Sequence, residues 1–389
     1  MSNNIILLTG GELAQTAALG VNLTDADIAA KIEAGPLGLL AKNSISIGGI
    51  CTDYSGNIYI SDPENHVILK IKEGGVISIL AGQAGTSGIN GALTKVPISS
   101  AKFNQPRGLA CDKSGTIYVA DTGNNQIRAI RDGFVSHIAG QGDGSSGFVG
   151  GYGGTAAFNG PYDVAVDSNG NLYVADTGNN SIRIIFSGGR VQIYAGSSSG
   201  DAENVPNTTA AIFNAPKSVA VDASGIVYVC DSGNYKIKVI TPTRYTYLHS
   251  GSGVAGKDLG TTAFNCKYND LMFSDVDRSE NLYVVDQNTV LGSRVLKINR
   301  EGIPSVVNDF NGSAVNNSVI GLALNKSQKL FVVTYGDPDV YASSSSSSST
   351  SDSSESSSSS RDSSSSTSDS SESSSSTSDS SESSSSSSL

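Results

Sequence analysis

The chain has 389 residues, 25 Lys and Arg against 36 Asp and Glu, and a formal net charge of −11. From Ser343 onward it is almost pure Ser with seven acids and the single base Arg361, so this tail carries −6 and the rest −5. An acidic balance with no basic run argues against a nucleic-acid grip. No stretch reaches the ~18 apolar residues of a membrane span, and a chain this long can bury roughly 75% of its surface in one large domain.

The N-terminus, MSNNIILLTGGE, has no Lys or Arg and four apolar residues in a row, too short and uncharged for a secretory signal. A cytoplasmic or virion location is the expectation. Ile5–Gly11 reads as a strand. Residues 12–44 read as a connection, within which Thr24 caps a short helix over 24–33 whose stripe is Ile28, Ala29 and Ile32.

From Ile45 the chain repeats itself. SGTIYVADTGNNQIRAI from Ser114, NGNLYVADTGNNSIRII from Asn169 and SGIVYVCDSGNYKIKVI from Ser224 are near copies; SGNIYISDPENHVILKI from Ser55 matches, and ENLYVVDQN from Glu280 and QKLFVVTYG from Gln328 are looser. The repeated aromatic falls at Tyr59, Tyr118, Tyr173, Tyr228, Tyr283 and Phe331, in steps of 59, 55, 55, 55 and 48. A second marker precedes the middle units: Phe103-Asn-Gln-Pro, Phe158-Asn-Gly-Pro, Phe213-Asn-Ala-Pro, then Phe264-Asn-Cys-Lys without the Pro. In the third unit four strands can be read, a (164–167), b (172–176), c (182–186) and d (191–194). Gly- and Asn-bearing turns separate them. Four antiparallel strands repeated radially make a β-propeller.

The pattern G-x-[IL]-Y-V-A-D-x-G-N-x-x-[IV]-[RK]-x-[IV] resembles the NHL repeat, a propeller-blade repeat, over about Ile45 to Tyr335. Units five and six depart from it: unit five has about three extra residues between Asp286 and Val295, and unit six has Thr334 or Tyr335 where the Asp belongs. The expected fold is all-β: one six-bladed NHL-type propeller over 1–342, then a disordered Ser/Asp/Glu-rich tail over 343–389. Unit six lacks an outer strand, with 339–342 a candidate for its third. Because Ile5–Gly11 is similar to Ile77–Gln83, which ends unit one, the N-terminal strand (1–11) is expected to close the last blade as its outer strand. The b–c turns and the long connections 82–102, 140–157, 196–212 and 250–263 then share one face, where a protein or glycan partner is expected. Both termini are expected to leave from the opposite face.

Asp62, Asp121, Asp176, Asp231 and Asp286 end each strand b. They are expected as structural turn carboxylates that accept backbone N–H groups of the following Gly-Asn turn. Arg128, Arg183 and Lys238 share a strand-c position, held by Leu69 in unit one, and are expected to pair with acids between blades. Phe103, Phe158, Phe213 and Phe264 are expected to plug blade interfaces. His66, His137 and His249 fall in three different blades, and the four Cys (Cys51, Cys111, Cys230, Cys266) show no CxxC spacing, so buried free thiols are expected and no metal or other cofactor. Propellers similar to this one include amidating lyases with a zinc held by several His, calcium-dependent lactonases and RNA-binding regulators with a basic face. Neither metal-ligand set can be placed on this sequence, and the core is acidic. The tail repeats TSDSSE at 350, 367 and 377 and reads as a solvated brush, a substrate of acid-directed kinases or a glycosylated stalk. The functional expectation is a non-catalytic recognition or structural module, such as a phage head or tail decoration. The alternatives are a metal-dependent lyase or lactonase and an RNA-binding NHL domain.

Overall fold

The computed structural model describes residues 5–11, 15–23, 47–72, 77–91, 95–202, 210–288, 292–309, 319–325, 327–328 and 330–335. The chain divides into two units, Met1–Ser346 and Ser347–Leu389. The second unit, with the Ser-rich tail, lies outside the described residues, as do the expected helix over 24–33 and the candidate strand over 339–342.

The first unit is an all-β propeller. Five blades are each built from one contiguous stretch of chain, with strands a to d running from the inside out. Blade one uses Gly49–Thr52, Ile58–Asp62, Val67–Ile71 and Ile77–Gly82. Blade two uses Pro106–Cys111, Ile117–Asp121, Gln126–Arg131 and Phe134–Ala139. Blade three uses Pro161–Val166, Leu172–Asp176, Ser181–Ile185 and Arg190–Ala195. Blade four uses Ser218–Val221, Val227–Asp231, Lys236–Ile240 and Thr246–Ser250. Blade five uses Asp270–Val276, Leu282–Gln287, Arg294–Ile298 and Pro304–Asp309.

The expectation of six like blades is corrected to these five. The remaining sheet is composite: Val319–Leu324, then Leu330–Tyr335, then Ile5–Gly11, then Gln15–Leu23. Ile5 pairs with Tyr335 and Gly10 with Leu330, so the N-terminal strand takes the third place in this sheet rather than the outer one. Gln15–Leu23, expected within a connection, is the outer strand and pairs with Ile5–Gly11. The inner strands touch in a closed cycle, each against its two neighbours, with Val319–Leu324 between those of blades five and one.

The core is divided among the seams between neighbouring sheets. A blade face cannot be buried within a single sheet, so each seam has its own apolar cluster. Phe103 packs with Tyr59, Ile68 and Val119 between blades one and two. Phe158 packs with Ala120, Ile127 and Val174 between two and three, and Phe213 with Ile182, Val219 and Val229 between three and four. All three Phe are fully buried. Phe264 departs from the expectation: it is 60% exposed, and the buried aromatic between blades four and five is Tyr268, packed with Ile237, Leu271 and Val284. Phe264-Asn265 stands four residues ahead of the place the seam requires, and Tyr268-Asn269, one 55-residue step after Phe213, fills it.

Two long connections do more than link blades. Lys95–Pro97 adds a fifth strand to the outer strand of blade two, and Gly151–Tyr152 adds one to blade three. Each covers part of an otherwise open sheet edge.

Candidate functional site

The strand-b carboxylates are fully buried. In blades two to five the main-chain donor to each is more distant than the adjacent turn. Asn104, Asn159, Asn214 and Asn269 donate their backbone N–H to Asp121, Asp176, Asp231 and Asp286 at 2.8, 2.8, 2.7 and 2.7 Å. These Asn follow the seam aromatics, so each carboxylate ties strand b to the segment that opens its own blade. The turn contributes a side-chain amide instead: Nδ2 of Asn124, Asn179 and Asn234 reaches the same carboxylates at 2.8 Å.

A buried cation completes each group. Arg128 meets Asp121 at 3.3 Å, Arg183 meets Asp176 at 2.9 Å, Lys238 meets Asp231 at 2.8 Å and Arg294 meets Asp286 at 2.8 Å. The three strand-c cations thus pair within their own blade, and each lies over the seam Phe, 5.5, 5.3 and 5.3 Å from the ring centre. Arg294 escaped the sequence pattern because it stands two positions earlier on strand c, opposite Asp286 itself, while Leu296 holds the place of Arg128. Burial raises Asp121 to about 6, against the opposing pull of Arg128 and of the hydrogen bonds. In blade one Leu69 replaces the cation, and Asp62 accepts from the backbone and side-chain nitrogens of Asn65 at 3.1 and 2.7 Å. These carboxylates hold blades together and none faces an open cavity.

A second recurring carboxylate, missed in the sequence, ends the inner strand of each of the five blades. Asp53, Asp112, Asp167, Asp222 and Asp277 each accept two backbone N–H bonds from the a–b turn, at 2.8–2.9 Å. Burial pushes Asp53 up, yet the Asn57 amide, the Tyr59 hydroxyl and the two N–H groups outweigh it and hold its carboxyl below the usual value. The signal was available, since these residues recur at the same steps as the aromatic.

The inner strands enclose a channel with a cavity of about 280 Å³. Its wall is apolar at Ile50, Leu109, Val164, Val219 and Leu322. Besides Asp53 at its end, Asp163 and Asp275 interrupt it. Asp163 accepts from Ser218 Oγ at 2.6 Å and Val219 N at 3.1 Å in the next blade, and Ser218 Oγ lies 2.9 Å from Ser274 Oγ. Gly108 makes room for Asp163, because a Cβ there would collide with the carboxylate. Asp275 accepts from Leu324 N at 2.8 Å in the composite sheet. Burial raises both carboxyls to about 6.

Where the inner strands begin, beside the b–c turns, polar side chains pair across neighbouring blades. Arg107 donates to the Tyr162 hydroxyl at 2.9 Å and stacks on its ring. Lys217 meets both oxygens of Asp270 at 2.7 and 2.6 Å. A second cavity of about 580 Å³ opens between blades four and five, bordered by Lys217, Tyr235, Asn269, Asp270 and Asn288. The connection over 250–263 passes beside it, and Val254 and Phe264 stand out at 55% and 60% exposure.

His66, His137 and His249 remain apart, in blades one, two and four. His66 Nδ1 accepts from Gln105 N at 3.1 Å, His137 Nε2 lies 2.9 Å from Gly140 O, and His249, in an outer strand, meets the Tyr228 ring edge-on. All four Cys are free thiols; Cys111 is half-buried and the others buried. Among the described residues no three His, Cys, Asp or Glu gather as metal ligands would.

Residues 103–130, 158–185 and 213–240 match the family model of the NHL repeat. No curated protein matches the chain by sequence. Similar solved structures include virginiamycin B lyase from Staphylococcus aureus, at 11% identity and a TM-score of 0.44 over 75% of this chain and 95% of that one. A gluconolactonase from Xanthomonas campestris is similar at 12% identity and 0.47, over 75% and 86%. An auxiliary nutrient binding protein from Bacteroides thetaiotaomicron is similar at 13% and 0.46, over 75% of this chain and 59% of that one. The expectation of a non-catalytic chain is corrected here, since structures similar to it include a lyase and a lactonase. The missing motifs were a poor guide because a propeller gathers a site from several blades, and no contiguous pattern need mark it. At these identities the likenesses assign no activity.

Proposed function

We propose that this NHL-repeat β-propeller, closed into a six-membered ring by its composite sheet, recognises a protein or glycan partner on the face that carries the b–c turns. The observation that supports this is the set of side chains where the inner strands begin on that face. Arg107 with Tyr162 and Lys217 with Asp270 form two pairs of polar and aromatic groups, and the connection with exposed Val254 borders the second pair. Arg and aromatic side chains are the types enriched in binding surfaces, and large apolar side chains in a polar rim mark contact sites. The test is binding of the full chain to immobilised glycans and to candidate partners, with Arg107→Ala/Tyr162→Ala and with Lys217→Ala/Asp270→Ala. Loss of binding at unchanged melting temperature supports the reading. Binding that survives both but disappears with Phe134→Ala or Tyr245→Ala, next to the c–d turns, would place the partner elsewhere.

A second reading draws on Asp163 and Asp275. Two buried carboxyls raised to about 6 and lining one cavity have the proton affinity of general acids or bases near neutral pH. Turnover of a lactone that falls in Asp275→Asn would favour chemistry in the channel.

A further inference from the structure

We infer that the cavity between blades four and five is a pocket for one ring of a neutral saccharide. This rests on the proposed binding face and narrows it to one place and one ligand class.

The repeated b–c turn shows how this seam differs from the others. The turn's last residue is left-handed in blades one to four: His66, Asn125, Asn180 and Tyr235, with φ of 59°, 53°, 51° and 55°. In the first three the side chain reaches across the seam and accepts a backbone N–H of the next blade. His66 Nδ1 takes Gln105, Asn125 Oδ1 takes Gly160 and Asn180 Oδ1 takes Ala215, at 3.1, 2.7 and 2.8 Å. Each bond clamps a turn to the start of the neighbouring inner strand. Tyr235 makes no such clamp. The inner strand of blade five instead starts one residue earlier, with Asp270 paired to Gln287, and the cavity of about 580 Å³ opens beside it. That volume lies within the roughly 300–1,000 Å³ of small-molecule sites.

The lining specifies the ligand class. The half-buried Tyr235 supplies an aromatic wall. Lys217 and Asp270 neutralise each other, so the pocket has no net charge with which to select an ion. Their side chains remain 26% and 41% exposed, leaving donor and acceptor capacity open to a guest. Asn269 is held by its neighbours, accepting from Asn288 at 2.9 Å and donating to Gly256 O at 3.1 Å, which fixes the amide's orientation. A pyranose matches this lining: its hydroxyls both donate and accept, and its C–H face is apolar and lies well on an aromatic ring.

The test is saturation-transfer NMR on the full chain with methyl glucoside, methyl galactoside, methyl mannoside and N-acetylglucosamine, each alone. Transfer to at least one sugar is expected, weakened about tenfold or more by Asp270→Asn and by Tyr235→Asn. Tyr235→Asn puts in place the residue of blades two and three, and its melting is followed beside the parent chain's, so that lost binding in a variant that melts like the parent cannot be ascribed to unfolding. No transfer to any of the four, or transfer kept in Tyr235→Asn, overturns the pocket. The two readings fail separately: a partner that still binds Tyr235→Asn but not Arg107→Ala/Tyr162→Ala leaves the face standing and removes the saccharide.

Discussion

His66, Asn125 and Asn180 make the same cross-seam bond with two chemistries, and only one of them responds to acid. An imidazole accepts a hydrogen bond only when neutral at that nitrogen. Burial lowers the His66 pKa, so its contribution to stability is present above the ordinary imidazole value and is lost as pH falls through the lower folded one. His66→Asn should leave stability near pH ~7 unchanged and remove this acid-side loss, read as urea midpoints at about pH 7 and about pH 5. Asn180→Ala should cost ~1 kcal/mol at either pH. The channel carboxylates have the opposite sign. Asp163 and Asp275 rise from 3.8 to about 6 on burial, so the folded chain binds more protons than the unfolded one between those values. Their contribution is full below about 3.8 and is lost as pH rises through about 6. Asp163→Asn should flatten that part of the stability profile. An unaltered slope would mean that its carboxyl titrates normally.

At the scale of the element, the seam aromatic is the piece on which each blade depends. Phe158→Ala should cost ~3–5 kcal/mol because its ring is fully enclosed. Phe264→Ala should change stability by less than ~0.5 kcal/mol, and Tyr268→Ala should behave like Phe158→Ala; thermal unfolding of the three variants separates the cases. This contrast also shows what the sequence made legible. Phe103, Phe158 and Phe213 stand 55 apart, and another such step lands on Tyr268. Resemblance of letters pointed to Phe264 instead, whereas spacing, which reflects the fixed size of a blade, pointed to the buried ring. Strand order within blades one to five was readable because period and turn chemistry are local. Asp163, Ser218 and Asp275 were not readable as a group: each sits on a different inner strand, and only the ring brings them to one wall. The pairing of Asp121 with Asn104 was hidden for the same reason, since the chain returns to that N–H only after a full inner strand.

For the molecule as a whole, the composite sheet governs closure. Ile5–Gly11 pairs along Leu330–Tyr335, so the ring is completed by backbone bonds between segments far apart in sequence. Deleting Met1–Gly11 leaves the inner pair of that sheet with an open edge. The shortened chain should melt at lower temperature and self-associate, measured by calorimetry and light scattering. A melting temperature equal to that of the intact chain would show that the remaining seams suffice.

The same arrangement has a consequence for biosynthesis. The first strand leaves the ribosome roughly 300 residues before the one it hydrogen-bonds to. At about 5–20 residues per second, Ile5–Gly11 waits roughly 15–60 s without its mate, an apolar ribbon offered to any chaperone or nascent neighbour. Translation speed therefore sets how long the growing polypeptide is exposed to misassembly.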